Sequence, residues 1–179
     1  MEEDIVLVNK SLQKDAGAFE KLIDRYQKPI YNLGMRMFGN SDDAEDLTQN
    51  VFIKAWERLN SFDNRFKFFS WLYRIAINES LNISNREKRK ERIENEEQYE
   101  TGNSIENEFE KSEQSRRIHE ALTGLEINYR IVIVLRHYLD LSYSEIAELT
   151  ELPEKTVKSR LFSARQILKE SLLKKGLFA

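Results

Sequence analysis

The sequence contains no cysteine and only two histidines, two prolines and six glycines. Without cysteine there are no disulfides, no thiolate chemistry and no thiolate-held zinc. His119 and His137 are too few for a histidine-rich metal cluster, so neither a metal nor a cofactor is expected. Scarce proline and glycine leave long stretches unbroken, and no alternating strand pattern fills them. No apolar run approaches the roughly 18 residues that cross a membrane. The chain starts on acidic residues where an export signal is basic, so a cytoplasmic protein without direct membrane insertion is expected. A surplus of positive charge is missing too. Lys and Arg number 28 against 31 Asp and Glu in 179 residues, a formal net charge of −3. Taken whole, that balance argues against a free-standing nucleic-acid binder.

The charge is strongly segregated. Residues 1–63 carry 8 basic and 12 acidic side chains, and residues 64–93 carry 8 basic and 3 acidic. Residues 94–113 hold eight Glu and one Lys, whereas 114–179 hold 11 basic and 8 acidic. The stretch 94–113 has few large apolar residues and no sustained period, so it reads as a flexible, self-repelling linker. On both sides the pattern is helical. Asp15 is placed to cap a helix to about Gln27, and Pro29 suits the first turn of another that Gly39 and Asn40 end. Further helices are predicted over about 42–59, 67–89, 115–124, 128–139, 143–150 and 154–173. The fold class is therefore all-α: two small helical domains, 1–93 and 114–179, joined by the acidic linker 94–113.

In the C-terminal module, Ser142 and Glu145 form a Ser-x-x-Glu capping box ahead of a short helix. Glu151, Leu152 and Pro153 make a tight break before a longer basic helix. That order is a helix-turn-helix. At about 100° per residue, Val157, Leu161, Ala164 and Leu168 fall on an inward stripe. Lys155, Ser159, Phe162, Ser163 and Gln166 point away from it. Lys158, Arg165 and Lys169 lie on one flank, with Thr156 and Arg160 on the other. A small polar face between basic flanks suits the major groove, the middle reading base edges and the flanks gripping phosphates. An amphipathic helix with a solvated face is the plainer reading of the same stripe.

The N-terminal module concentrates aromatics: residues 62–73 (FDNRFKFFSWLY) hold six of the chain's 19. On the helix that follows, Phe69, Leu72, Ala76 and Ile83 share one face. Trp71, Arg74, Asn78, Asn82, Asn85 and Arg89 share another. Amides, arginines and one indole suit melted DNA, where bases stack on rings and bond to amides. The phenylalanines read as core, and Trp71 is open between core packing and DNA contact. On helix 42–59, Leu47, Val51, Phe52, Ala55 and Leu59 form the buried side. Asp43, Asp46, Asn50, Ile53 and Glu57 lie opposite, with Gln49 and Trp56 at the edge. Carboxylates repel DNA, so this face belongs to solvent or to a basic protein partner, and Ile53 favours the partner.

Three linked motifs carry a resemblance. DDAEDLTQNVFIKAWERL, FKFFSWLYRIAINESLNISNREKR and LSYSEIAELTELPEKTVKSRLFSARQIL resemble, in order and spacing, the extracytoplasmic-function group of bacterial sigma factors of the sigma-70 family. The resemblance implies a sigma region 2-like bundle at 1–93 and a region 4-like helix-turn-helix at 114–179. It implies that the helix at 43–56 docks on the clamp helices of core RNA polymerase, through Asp43, Asp46, Gln49 and Asn50, to which Ile53 and Trp56 are added. It implies that 60–89 melts and reads the minus-ten element and captures an unpaired base near 60–66. Asn64, Arg65, Lys67, Trp71, Arg74, Asn78, Asn82 and Arg86 are the residues expected there. The second helix of the helix-turn-helix reads the minus-thirty-five element, through Lys155, Thr156, Lys158, Ser159, Arg160, Ser163 and Arg165. Ser163 stands where some relatives have Arg. The linker is implied to run through the polymerase towards the RNA exit path.

The function so implied is that of a promoter-specificity factor in a stress or envelope-signal response. Its partners are core RNA polymerase, promoter DNA as duplex and melted non-template strand, and a dedicated anti-sigma factor. No nucleophile–base pair, phosphate loop or metal cluster can be assembled from these motifs, so no catalysis is expected. Two other readings remain on the residues alone. One is a stand-alone helix-turn-helix regulator, and the other a recombinase-like enzyme, for which Asp42, Asp43, Glu45 and Asp46 crowd too closely on one helix turn. The modest positive surplus of each module predicts weak DNA binding alone. Polymerase would supply affinity by placing both modules on one promoter.

Overall fold

The computed structural model describes residues 3–94 and 113–176. Eight α-helices and one 3-10 turn, with no strand, make up the described residues: α1 (Asp4–Leu12), α2 (Ala16–Phe38), α3 (Ser41–Glu57), the turn Leu59–Ser61, α4 (Phe68–Glu94), α5 (Glu113–Thr123), α6 (Ile127–His137), α7 (Tyr143–Thr150) and α8 (Glu154–Lys174). The all-α, two-module expectation holds. The predicted linker 94–113 falls almost entirely outside the described residues.

Two expectations are corrected. The break at Gln27–Pro29 does not occur: α2 runs unbroken through Pro29. Pro29 removes one backbone donor, but it is exposed, so water can satisfy the carbonyl left over. The second correction is α1, which was not foreseen because its N-cap, Glu3, makes no side-chain capping bond. Tertiary contacts hold it instead. The Asp4 carboxylate accepts hydrogen bonds from Arg25 and Tyr26 of α2. Burial, and then the Asp4 hydrogen bond, push the Tyr26 phenol well above its usual range.

The N-terminal module packs α2, α3 and α4 around Leu22, Ile30, Leu33, Leu47, Val51 and Leu72, all buried. Each such side chain contributes about 1.5–3 kcal/mol relative to exposure. Helices α2 and α3 approach closely at Gly34, where an added Cβ would lie 2.7 Å from Ala44 Cα. Gly39, at φ 81°, caps α2 in the left-handed conformation, and Asn40 then caps α3 by accepting from the Asp43 amide. In the C-terminal module, Leu122, Ile131, Leu135, Ile146, Val157, Leu161 and Ala164 form the core under α5–α8. The capping box at Ser142 and Glu145 is present as predicted. Glu151 turns the chain into α8 with φ 55°.

The two modules pack on one another. The Arg130 guanidinium of α6 donates to the carbonyls of Met37, Thr123 and Leu125, clamping the end of α2 to the α5–α6 turn. Arg36 lies over the Tyr138 ring at 4.3 Å. A Cβ on Gly39 would lie 3.0 Å from both His119 Nε2 and Thr123 Cγ2. Helix α7 rests against α4, bringing the helix-turn-helix beside the amide-bearing face of the first module.

Candidate functional site

Three surfaces gather the residues singled out above. The first lies between α2 and α3. Leu47, Val51, Phe52, Ala55 and Leu59 are buried as expected, while Ile53 and Trp56 remain 50% and 48% exposed. Gln49, Ile53 and Trp56 line an open groove of about 820 Å³ together with Phe19, Ile23 and Tyr31 of α2. Phe19 and Trp56 meet edge to face at 4.9 Å, which fixes the indole as one wall. Asp43, Asp46 and Asn50 lie on the same helix but outside the groove lining. Asp43 is engaged locally, its carboxylate accepting from Asn40 Nδ2 at 2.7 Å. The α2 wall was not foreseen, although Phe19 and Ile23 stand four residues apart.

The second surface is a groove of about 320 Å³ along α4. Trp71, Arg74 and Asn78 line it with Phe62, Phe66 and Glu148 of α7. Asn64, Arg65, Lys67, Asn82 and Arg86 lie outside it, all exposed. Trp71 packs in part as core. Its ring packs against Phe62 and Phe68 at 5.6 and 5.5 Å, yet it also lines the groove. Phe66, taken as core from the sequence, is 54% exposed in the loop before α4. Arg65 forks onto Asp63, with Nη2 at 2.6 Å from Oδ2. That pairing holds the Asp63 carboxyl below its usual range and raises Arg65. Arg74 Nη2 donates to the Glu148 carbonyl at 3.1 Å, and Nη1 lies 3.6 Å from Glu151. Its buried Nε has no partner.

The third surface is the outer face of α8. Val157, Leu161 and Ala164 are buried and Leu168 packs against the core, as the periodicity predicts. Lys155, Lys158, Ser159 and Arg165 are exposed, Thr156, Arg160 and Ser163 half-buried. Phe162 is 66% exposed at the centre of this face. Several cations already have neighbours. Lys158 pairs with Glu154 at 2.7 Å, a hydrogen bond that raises the Lys158 pKa. Arg160 reaches Asn128 Oδ1 at 3.5 Å, and Arg165 Nε lies 3.4 Å from His137 Nε2.

A fourth feature escaped the sequence reading. Ile118, Leu122, Ile133, Leu168 and Leu172 floor an apolar groove of about 300 Å³ between α5, α6 and α8, rimmed by Arg165 and Lys169. The Ile118 and Leu122 spacing on α5 was the available signal. Among the described residues, no group of three or more His, Asp or Glu is placed to hold a metal ion. No described helix is long and apolar enough to cross a membrane.

Comparison with known proteins places this geometry in a family. Residues 22–90 match Sigma-70 region 2, and residues 115–168 match Sigma-70, region 4. The ECF RNA polymerase sigma-E factor of Haemophilus influenzae is 34% identical, over 94% of this chain and 95% of the relative. The ECF RNA polymerase sigma factor SigW of Bacillus subtilis is also 34% identical, over 88% and 90% of the two chains. Among solved structures, CnrH in complex with the cytosolic domain of CnrY superposes with a TM-score of 0.68 at 27% identity, covering 96% of this chain and 97% of that one. The sigma factor RpoE of Bartonella quintana, in complex with the anti-sigma factor NepR, shares the fold at a TM-score of 0.71 and 24% identity, over 86% and 96% of the two chains. The chain therefore belongs to the extracytoplasmic-function group of RNA polymerase sigma factors, the subunits that direct polymerase to promoters.

Proposed function

We propose that residues 1–93 dock on core RNA polymerase and read the minus-ten element, that 114–179 read the minus-thirty-five element, and that 94–113 tether them inside the enzyme. Docking uses the α2–α3 groove with Gln49, Ile53 and Trp56, edged by Glu45 and Glu57, together with Asp43, Asp46 and Asn50 elsewhere on α3. An apolar groove edged with carboxylates suits a basic, amphipathic partner helix. On α4, Trp71 offers a face to an unpaired base, while Arg74, Asn78 and Asn82 supply donors and acceptors. Asn64, Arg65, Lys67 and Arg86 approach the backbone and flanking nucleotides. On α8, Lys155, Ser159 and Ser163 face base edges, and Thr156, Lys158, Arg160 and Arg165 face phosphates.

The observation that supports this reading best is the α4 groove. An indole, an arginine and an amide converge there on one open cleft, on the same chain as a capped helix-turn-helix. Melting follows from capture of unpaired bases, each stacking contact contributing about 1–3 kcal/mol. No nucleotide hydrolysis and no cofactor enter, and the protein works in the cytoplasm without catalysing a reaction. A dedicated anti-sigma factor is proposed as the remaining partner, because two relatives of the same fold were solved bound to such regulators or to a cytosolic domain. The apolar groove at Ile118 and Leu172, with its basic rim, fits an amphipathic helix with an acidic flank.

Transcription reconstituted with core polymerase on a genomic promoter library, with and without this protein, tests the reading. New start sites sharing elements about two helical turns apart are expected. Absence of any added start site would overturn it.

A further inference from the structure

Glu79, on α4, is 5% exposed, and buried carboxylates are rare unless paired. Its partner is Lys54 of α3, whose Nζ lies 2.5 Å from Glu79 Oε1. A buried ion pair is seldom better for stability than apolar packing of the same volume, so its presence invites another role. The same Oε1 accepts a second hydrogen bond, from Asn82 Nδ2 at 3.0 Å. Asn82 itself is exposed, one helical turn beyond Asn78.

This arrangement removes a freedom that asparagine normally has. An amide can present either oxygen or nitrogen outward, and its neighbours decide which. A carboxylate salt-bridged to an ammonium offers only acceptors. Asn82 must therefore turn Nδ2 to Glu79, because the reverse rotamer would set two oxygens against each other. The Oδ1 acceptor then projects away from Glu79, towards the exposed side of α4. On the major-groove edge of paired DNA, adenine and cytosine present an exocyclic amine donor where guanine and thymine present a carbonyl.

We propose that Glu79, held by Lys54, is a positioning residue that fixes the Asn82 amide with its acceptor outward, so that the base Asn82 meets at the still-paired edge of the minus-ten element is read as adenine or cytosine. The inference rests on the proposed reading of α4 as the minus-ten helix. It also joins two surfaces: Lys54 follows Ile53 on the docking helix, so the helix proposed to hold polymerase supports the side chain proposed to choose a base.

The test is transcription with core polymerase on promoters in which each base of the downstream element is varied in turn. Wild-type protein should prefer adenine or cytosine at one position by roughly 5- to 150-fold, the range of a single good base contact. Asn82→Ala should bring that ratio towards unity and leave the other positions alone. Glu79→Gln, which can donate as well as accept, should lower the ratio at the same position only. In the Asn82→Ala background Glu79→Gln should not change it further. A uniform loss on all promoters in Glu79→Gln would mark a merely structural tie and overturn the inference, as would an unchanged ratio. Should Glu79→Gln fail to fold, exposed Asn82→Ala decides alone: no altered preference for an aminated base overturns the proposal. Wild-type protein that drives no start site on any promoter would instead overturn the functional reading beneath it.

Discussion

Arg74 Nη2 donates to the backbone carbonyl of Glu148 at 3.1 Å, across 74 residues of sequence. One guanidinium thus belongs to two surfaces: it lines the α4 groove and it binds the first helix of the helix-turn-helix. In this closed arrangement the contact is incomplete. The Glu151 carboxylate stands 3.6 Å away and largely exposed, and the buried Nε has no partner. An unpaired buried donor costs about 1–3 kcal/mol. A nucleic-acid acceptor would offer Arg74 more than α7 does, so the DNA contact proposed for Arg74 would compete with the C-terminal module for the same side chain.

That competition predicts that loosening the module interface helps DNA binding. Arg130 is the clamp, with its guanidinium on the Met37, Thr123 and Leu125 carbonyls. Arg130→Met should lower stability by about 1.5–3 kcal/mol in urea unfolding, the range for charged hydrogen bonds. It should also enlarge the radius of gyration in X-ray scattering and tighten binding of a single-stranded downstream-element oligonucleotide. Weaker oligonucleotide binding by an expanded, folded variant would refute the competition.

Trp71 separates packing from base capture. Its ring touches Phe62 and Phe68, so Trp71→Phe should keep much of the aromatic cluster while shortening the platform. Trp71→Ala should reduce permanganate-detected open complexes by roughly 5- to 150-fold, the equivalent of one stacked base, with a smaller effect on recruitment. Equal loss of recruitment and melting would assign the indole to the core.

Much of this architecture is legible in local pattern. The capping box at Ser142, the turn at Glu151 and the stripe Val157, Leu161 and Ala164 are all set within a few residues, and the structure has them where the sequence places them. Pro29 misleads because proline's preference for the first turn of a helix reads as a boundary, whereas this exposed proline sits inside α2. Helix α1 is invisible locally because its stability comes from Asp4 meeting Arg25 and Tyr26. The α4 surface is half legible. Amide and arginine spacing gives the stripe, but nothing local reveals that Glu148 closes over Arg74, or that Lys54 reaches Glu79. The Lys158 and Glu154 pair, by contrast, stands at i and i+4 and was available to the eye.

That pair bears on how α8 grips DNA. Glu154 holds the Lys158 ammonium at 2.7 Å, and Lys158 also lies 5.6 Å from the centre of the Tyr143 ring. If Lys158 grips phosphate as proposed, the carboxylate competes with it for the same cation. Polymerase carrying Glu154→Gln should bind an upstream-element duplex more tightly, most clearly at low salt. Lys158→Ala should weaken binding and reduce the slope of log affinity against log salt by up to about 0.9, one phosphate's worth. A salt slope unchanged by Lys158→Ala would remove its phosphate role, whatever happens to affinity.

His137, lining the groove between α5, α6 and α8, predicts a loss of stability in mild acid. Burial, and then the charges of Arg165 and Arg136, lower the His137 pKa from its usual 6.5. From α5, Glu120 faces Lys175 and Arg116 rather than His137, and its own carboxyl is held low by Lys175. A histidine whose folded pKa is depressed is protonated more readily in the unfolded chain. Its contribution is complete above the unfolded value and is lost as pH falls from about 6.5 towards the folded value. Glu120, Glu145 and Asp63 are all held below the ordinary carboxylate range, so their losses begin at lower pH. Between pH 7 and pH 5 the melting temperature of the wild type should therefore fall more than that of His137→Gln. Parallel curves across that interval would show that His137 feels neither the burial nor the two arginines beside it.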